Sequence, residues 1–263
     1  MSKEHSIIVM DRRILTIPIL ITALTIPGVA DAQQCDRCED RIGTSRVIEL
    51  DPDVTSAVGS FQFARLPLRR GEFVLTFDDG PVGPSTRRIL HLLEQECVRA
   101  TFFMLGGRAE RDPLVVRRAR YAGHTIASHT YSHPDLTVLP REEAEAEIVA
   151  GYRAVEAAAY GMALSQDTPR LFRFPNFRSN EALEQFAASL SMAVVSADIS
   201  PKDWRGDPPR ETLARLLKIL ETNTSGIIVL HDSQMNTARM LPMLFEEMKA
   251  RGLQVVHIIP KRG

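Results

Sequence analysis

The stretch VLTFDDGP, Val74 to Pro81, ends an apolar run in two adjacent carboxylates, Asp78 and Asp79. Like charges side by side repel, and no basic residue stands beside them in the local sequence. A turn tolerates such a pair, because Asp and Gly favour turns. A metal site would require it. Further along, SHTYSHPD supplies His129 and His133 at i and i+4. If that segment coils into a helical turn, both imidazoles face one way. Two imidazoles and one carboxylate provide three ligands for a divalent ion, with water in the fourth position. Such an ion lowers the pKa of water and polarises a carbonyl, while the second carboxylate is free to act as general base. An HxxxH spacing alone is more often two unrelated histidines. Coupled to the Asp pair, it points to a hydrolytic metal centre, although the local sequence does not say which aspartate does which.

These groups need a scaffold that brings distant segments together. From Glu72 onward, short β-rich runs alternate with helical ones. EFVLTF, ATFFM, TIAS, LFRF, MAVVSA, GIIVLH and LQVVHII read as strands. STRRILHLLEQE, DPLVVRRARYAG, PREEAEAEIVAGYRAVEAAAYG, NEALEQFAASL, PPRETLARLLKILETN and TARMLPMLFEEMKARG read as helices. About seven such units predict parallel βα architecture, a complete or slightly irregular barrel in preference to an open doubly wound sheet. In either fold, ligands gather at the carboxyl ends of the strands. Polar residues recur there: Asp78 and Asp79, His129, Arg173, Asp198, and His231 followed by Asp232. Turn preference accounts for Asp and Gly at strand ends but less readily for His and Arg.

The beginning of the chain reads differently. Arg12 and Arg13 precede an uncharged apolar run from Ile14 to Gly28, and Ala30 and Ala32 form an A-x-A site. That three-part pattern is a secretory signal over residues 1–32, cleaved before Gln33; a retained anchoring helix is the alternative. Residues 33–71 read as a polar, irregular extension and residues 72–263 as one domain. Once the signal is removed, no stable membrane span is expected. The net charge of −1 over 263 residues argues against a nucleic-acid partner, which demands a basic patch. Nothing in the sequence indicates a protein partner. Cys35 and Cys38 are spaced for a local disulfide, and Cys97 stands alone in a helical run. No second CxxC completes a four-thiolate zinc site. His91 and His257 read as structural, His124 as core, and Asp232 as a cap.

TFDDGP, SHTYSH, FRFPNF, DISPKDW and IIVLHD stand in the order of the polysaccharide deacetylase motifs. From about Glu72 to its end, the chain resembles that family, also known as the NodB-homology or carbohydrate esterase 4 family. The resemblance implies a distorted (β/α)7 barrel that removes acetyl groups from N-acetylglucosamine polymers or from acetylated xylan. It makes Asp78 the general base, and Asp79, His129 and His133 the ligands of a divalent metal, with zinc favoured and cobalt or manganese as alternatives. Arg173 would pair with Asp78. His231 would protonate the departing amine, oriented by Asp198. The backbone after Pro175, in the stretch Pro175–Asn176–Phe177, would face the oxyanion. Trp204 would wall the sugar, with a half-buried core role as its competitor, and Val229 and Leu230 would shape an acetyl pocket. The sequence departs from the family in two places. Four residues rather than two separate Asp198 from Asp203, so Asp203 could orient His231 instead. Asn176 also stands where an aromatic is common. The expected activity is N-deacetylation of an exported, periplasmic enzyme's glycan substrate. Deacetylation of a small amide or O-acetyl ester, or glycan binding without turnover, are the competing expectations.

Overall fold

Alternating β-rich and amphipathic runs become alternating strands and helices in the computed structural model, which describes residues 40–261. The strands are β1 (Thr44–Leu50), β2 (Ala57–Val58), β3 (Glu72–Asp78), β4 (Thr101–Met104), β5 (Thr125–Ser128), β6 (Arg170–Phe172), β7 (Met192–Val195), β8 (Gly226–His231) and β9 (Gln254–Pro260). The helices are α1 (Gly83–Gln95), α2 (Gly106–Arg111), α3 (Pro113–Tyr121), α4 (Arg141–Tyr160), α5 (Glu181–Ser189), α6 (Pro209–Thr222) and α7 (Met235–Ala250). Among the described residues, no helix is long and apolar enough to cross a membrane. The proposed signal and the Cys35–Cys38 pair lie outside the described residues.

All strand pairs are parallel. The order runs β1-β9-β3-β4-β5-β6-β7-β2, and β8 pairs with β3 from Phe73 to Asp78. A bridge between Ile199, beyond β7, and Ile228 of β8 brings the sheet round to itself. The circle is thin where β5 meets β6, through the single pair Ser128 and Phe172. It is therefore a distorted barrel. Strand alternation gives it two apolar layers. Val74, Phe103, Ala127, Leu171, Ile227 and Val256 pack together on the inside. Phe73, Leu75 and Phe77 point the other way, onto α1 and α7 through Ile89, Leu93 and Leu241. This two-sided burial explains why the strands read as continuous apolar runs.

Two expectations fail here. The segment up to Gly71 is not irregular: β1 pairs with β9 and β2 with β7, so both belong to the sheet. β1 escaped notice because it alternates half-buried with exposed residues, and one of its charges serves the core. Arg46 donates from Nε and Nη2 to the two carboxylate oxygens of the buried Glu72, at 2.8 and 2.7 Å. The other failure is His129–His133, which forms no helical turn. It is a loop in which Thr130 and His133 both take left-handed backbone angles, with φ of 69° and 70°.

That loop is braced by its neighbours. Thr130 and Tyr131 carbonyls accept from Gly106 and Gly107 at the start of α2, a helix the sequence reading had not anticipated. Gly151 of α4 lies so close that a Cβ there would stand 2.4 Å from the Thr130 carbonyl carbon. Gly151→Ala is therefore expected to lower the free energy of unfolding by about 1–3 kcal/mol, the usual cost of overpacking. Denaturant titration checks this against Gly161→Ala, at a helix end where a Cβ meets nothing and only the left-handed backbone is strained.

Candidate metal centre and catalytic mouth

β3 and β8 run side by side with Asp78 opposite His231, so their carboxyl ends place a carboxylate next to an imidazole. Alternation turns Asp78 inward, as it does Thr76 two residues earlier. There Asp78 Oδ1 meets Arg173 Nη1 at 2.6 Å. Arg173 has no exposed surface. Its Nη1 also donates to Thr76 Oγ1, its Nε to Val195 O and its Nη2 to Ser196 O, each at 2.8 Å. The guanidinium carbon lies 4.0 Å from the centre of the Phe103 ring. Burial raises the pKa of Asp78 above the ordinary carboxylate value, against the opposing charges of Arg173 and His231.

Asp79 leaves the strand with φ of 69°. Asp is among the few side chains that tolerate that conformation. Arg108 Nη1 holds its carbonyl at 2.6 Å. Asp79 Oδ1 lies 3.5 Å from His133 Nε2 and 3.8 Å from His129 Nε2. His129 Nδ1 donates to the Arg173 carbonyl at 2.8 Å; since a carbonyl only accepts, Nε2 carries a lone pair. Burial lowers the His129 pKa to about 3, so the ring stays neutral. Asp79 Oδ1 is buried without a hydrogen-bond partner among the described residues. The ligand atoms of these three residues lie within 4.8 Å of one another. A buried carboxylate oxygen without a donor, converging with two imidazoles, suits a cation, and two nitrogens with one oxygen suit zinc or a similar divalent ion.

A residue that sequence reasoning missed holds this half of the site. The Glu147 carboxylate on α4 accepts from Tyr131 N at 3.1 Å, Ser132 N at 2.9 Å and Ser132 Oγ at 2.8 Å. It thereby clamps the loop between the two histidines. In sequence it was one acid among several on a helix, and no spacing distinguished it.

The other half contains the main correction. Asp203, not Asp198, contacts His231: its Oδ1 accepts from the ring Nδ1 at 2.8 Å, and its Oδ2 from the His231 backbone N–H at 2.7 Å. Thr237 Oγ1 donates a further bond to Oδ2 at 2.5 Å. Burial disfavours the imidazolium, but Asp203, Asp78 and Asp79 outweigh it and raise the His231 pKa to about 9. Asp198 spends its oxygens on the backbone, accepting from Ser60 N and Ile227 N at 2.8 Å each. The wider spacing between the two acids leaves Asp198 beside β8 and returns Asp203 on a short 3-10 turn, Asp203–Arg205. Trp204 on that turn is 56% exposed, which removes the core reading.

The remaining candidates divide. Pro175 is buried, and Asn176 and Phe177 follow it with left-handed φ of 56° and 54°. Phe177 N–H and Arg178 N–H donate inward, to Phe174 O and Pro175 O. Val229 aligns with Thr76 on the inner face, fully buried. Leu230 aligns with Phe77 and packs outward with it, so it cannot line the mouth. Asp232 caps no exposed turn: it is wholly buried, and its Oδ2 accepts from Thr86 Oγ1 on α1 at 2.6 Å.

Residues 66–195 match the family model described as polysaccharide deacetylase. The chain is 30% identical over 195 residues to a peptidoglycan-N-acetylglucosamine deacetylase of Bacillus cereus, covering 72% of this chain and 68% of that one. A chitooligosaccharide deacetylase of Rhizobium leguminosarum bv. trifolii is 34% identical over 158 residues, covering 60% and 70%. Among solved structures, a peptidoglycan deacetylase of Bdellovibrio bacteriovorus superposes with a TM-score of 0.73 at 30% identity. The match covers 84% of this chain and 60% of that one.

The Asp203–His231 contact generates a direct test. In metal-free protein followed by NMR, Asp203→Asn is expected to drop the His231 pKa from about 9 toward the ordinary value of about 6.5. Asp198→Asn is expected to leave that titration in place and instead to destabilise the fold by about 1–3 kcal/mol, because two backbone donors lose a charged acceptor.

Proposed function

Because the chain belongs to the polysaccharide deacetylase family, we propose that it is a metal-dependent hydrolase removing N-acetyl groups from a glycan containing N-acetylglucosamine. The carrying observation is the division of labour at the end of β3: Asp78 gives Oδ1 to Arg173, while Asp79 Oδ1 faces both histidines; only Asp78 Oδ2, 3.9 Å from His129 Nε2, also borders the metal ligands. A divalent ion held by Asp79, His129 and His133 would polarise the acetyl carbonyl and make a water more acidic. Zinc fits the donor set best. The relatives' substrates support a glycan acetamide, and the secretory pattern at the chain's start supports export to the periplasm.

The protein's own groups account for the proton movements. Asp78, held in place by Arg173, takes the proton of the attacking water. The Asn176 N–H, following buried Pro175, faces the oxyanion as charge develops there. His231 is cationic below pH 9 and delivers a proton to the nitrogen as the C–N bond breaks. Acetate and a free amine result. Asp203 keeps the imidazolium charged and its Nδ1 occupied, which leaves Nε2 to donate. One carboxylate raised by burial and one imidazole raised by neighbouring carboxylates form an acid–base pair set apart by environment.

Asp78→Asn and His231→Ala are each expected to slow acetate release from N-acetylglucosamine oligomers by about 10²–10⁴-fold, the usual worth of general acid–base catalysis. Both should still bind zinc in a calorimeter, whereas Asp79→Asn should not. Zinc binding lost in Asp78→Asn and kept in Asp79→Asn would reverse the assignment. The wild-type rate should fall in acid, as Asp78 takes up a proton, and in alkali, as His231 loses one. The alkaline limb lies near pH 9, or lower once a cation sits beside the ring. Asp203→Asn should move that limb further down.

A further inference from the structure

α4 carries Glu147 and Gly151 one turn apart, and both meet the loop from His129 to His133. Gly151 lets the helix backbone close on Thr130. All three hydrogen bonds that the Glu147 carboxylate makes among the described residues go to this loop, two of them from the Tyr131 and Ser132 N–H groups. On the other side, Gly106 N and Gly107 N donate to the Thr130 and Tyr131 carbonyls at 2.9 and 3.0 Å. Thr130 is β-branched, and its φ of 69° is an outlier for such a residue. Backbone of that kind persists only where its surroundings over-determine it. Here α2 holds the carbonyls and Glu147 holds the N–H groups.

The two histidines depend on this brace unequally. His129 is fixed without it: its N–H donates to Met104 O at 2.9 Å, its ring Nδ1 to the Arg173 carbonyl, and its side chain is buried. The His133 side chain is 30% exposed. Among the described residues its ring has no hydrogen-bond partner and only faces Asp79 Oδ1 and the His129 ring. Its N–H donates to Thr130 Oγ1 at 3.1 Å, within the braced loop itself. Asp135, paired with Arg178, anchors the loop's exit. The Glu147 clamp is therefore the tether where the chain approaches His133. Ser132 is exposed, so without Glu147 these N–H groups can turn to water, and the loop can relax without opening the core.

We propose that Glu147 is a positioning residue for the metal centre and that it acts through His133; this rests on the reading of Asp79, His129 and His133 as a divalent-metal site. By fixing the Tyr131 and Ser132 backbone it turns the His133 imidazole onto Asp79, whereas His129 is placed by Arg173. An acid outside the ligand set thereby sets the affinity for the metal.

Zinc affinity, read by competition with a chelator, is expected to fall about 10–100-fold in Glu147→Ala, the usual worth of a group that orients a metal ligand. Glu147→Gln keeps one acceptor oxygen and should lose less; it carries the comparison if the alanine variant does not fold. The denaturation midpoint of the metal-free protein should barely move. Added to His133→Ala, Glu147→Ala should lower zinc affinity by no more than about twofold, the mark of two residues acting as one unit. A loss that persists in the His133→Ala protein reports the removed charge rather than positioning and overturns the proposal. Unchanged zinc affinity overturns it too. NMR of metal-free protein gives a second reading: in Glu147→Ala the His133 ring should lose its fixed orientation, while His129 Nδ1–H stays protected from exchange. If the wild-type protein binds no zinc, the metal reading fails, and the NMR comparison still decides whether Glu147 positions His133: an unmoved His133 ring overturns it, as does loss of His129 protection.

Discussion

The buried ion pair of Arg173 with Asp78 is the constraint on which the site depends. A guanidinium without exposed surface is tolerable only when it is paired and hydrogen-bonded. Arg173 meets that condition by reaching two strands: Thr76 and Asp78 on β3, and Val195 on β7 with Ser196 just beyond it. Its main chain adds β5, through Arg173 N–H to Ser128 O and His129 Nδ1–H to Arg173 O. One residue thereby fixes the position of the Asp78 carboxylate and the tautomer of His129. The coupling is covalent, since the guanidinium and the carbonyl belong to the same residue. Asp78 and His129 cannot drift apart without distorting Arg173.

Adjacent aspartates can share this site because the chain turns them to different partners. Asp78 closes β3 and inherits its inward direction, while Asp79 at φ of 69° is already out of the strand. The next residue must be glycine, since a Cβ on Gly80 would fall 1.9 Å from Asp232 Oδ2. Asp232 itself is pushed up to about 7 by burial and by the two neighbouring aspartates. Four carboxylates, those of Asp78, Asp79, Asp203 and Asp232, thus crowd one strand-end surface against the cations Arg173 and His231. A divalent ion held by Asp79, His129 and His133 would relieve that imbalance. The electrostatics of the mouth and the ligand geometry argue for the same occupant.

Much of this was legible in the sequence where chemistry and element ends coincide. The strands from β3 to β9 and the chief helices follow from apolar runs and periodicity. Asp78, Asp79, His129 and His133 follow from residue type. What escaped depended on direction rather than on composition. β1 carries alternating polar residues whose partner, Glu72, is distant in sequence. Leu230 and Val229 are equally apolar, and only the strand's facing separates a core residue from one on the inner wall. The i, i+4 spacing of the histidines suggested a helix, but Glu147, Gly106 and Gly107 impose a loop that brings the rings to 4.8 Å between centres. The Cys35–Cys38 pairing lies beyond the described residues.

The two acids that the sequence could not rank prove to hold different partners. The backbone runs on past β7 as an extra strand-like step, with Asp198 N donating to Ile227 O and Ile199 bridged to Ile228. At that step a side chain meets backbone donors on both sides, so Asp198 locks β8 and the Gly59–Ala64 turn with Phe61. The chain then reverses at Lys202, where φ is 55°, and only after that reversal can a carboxylate face the end of β8. Asp203 therefore reaches His231, and the same 3-10 turn carries Trp204 into solvent. Moving Asp203 would move His231 and Trp204 together, whereas moving Asp198 would shift the Gly59–Ala64 turn and leave His231 in place. Chain spacing indicates that two acids are close, but backbone direction assigns Asp203 to the His231 imidazole and Asp198 to the backbone of Ser60 and Ile227.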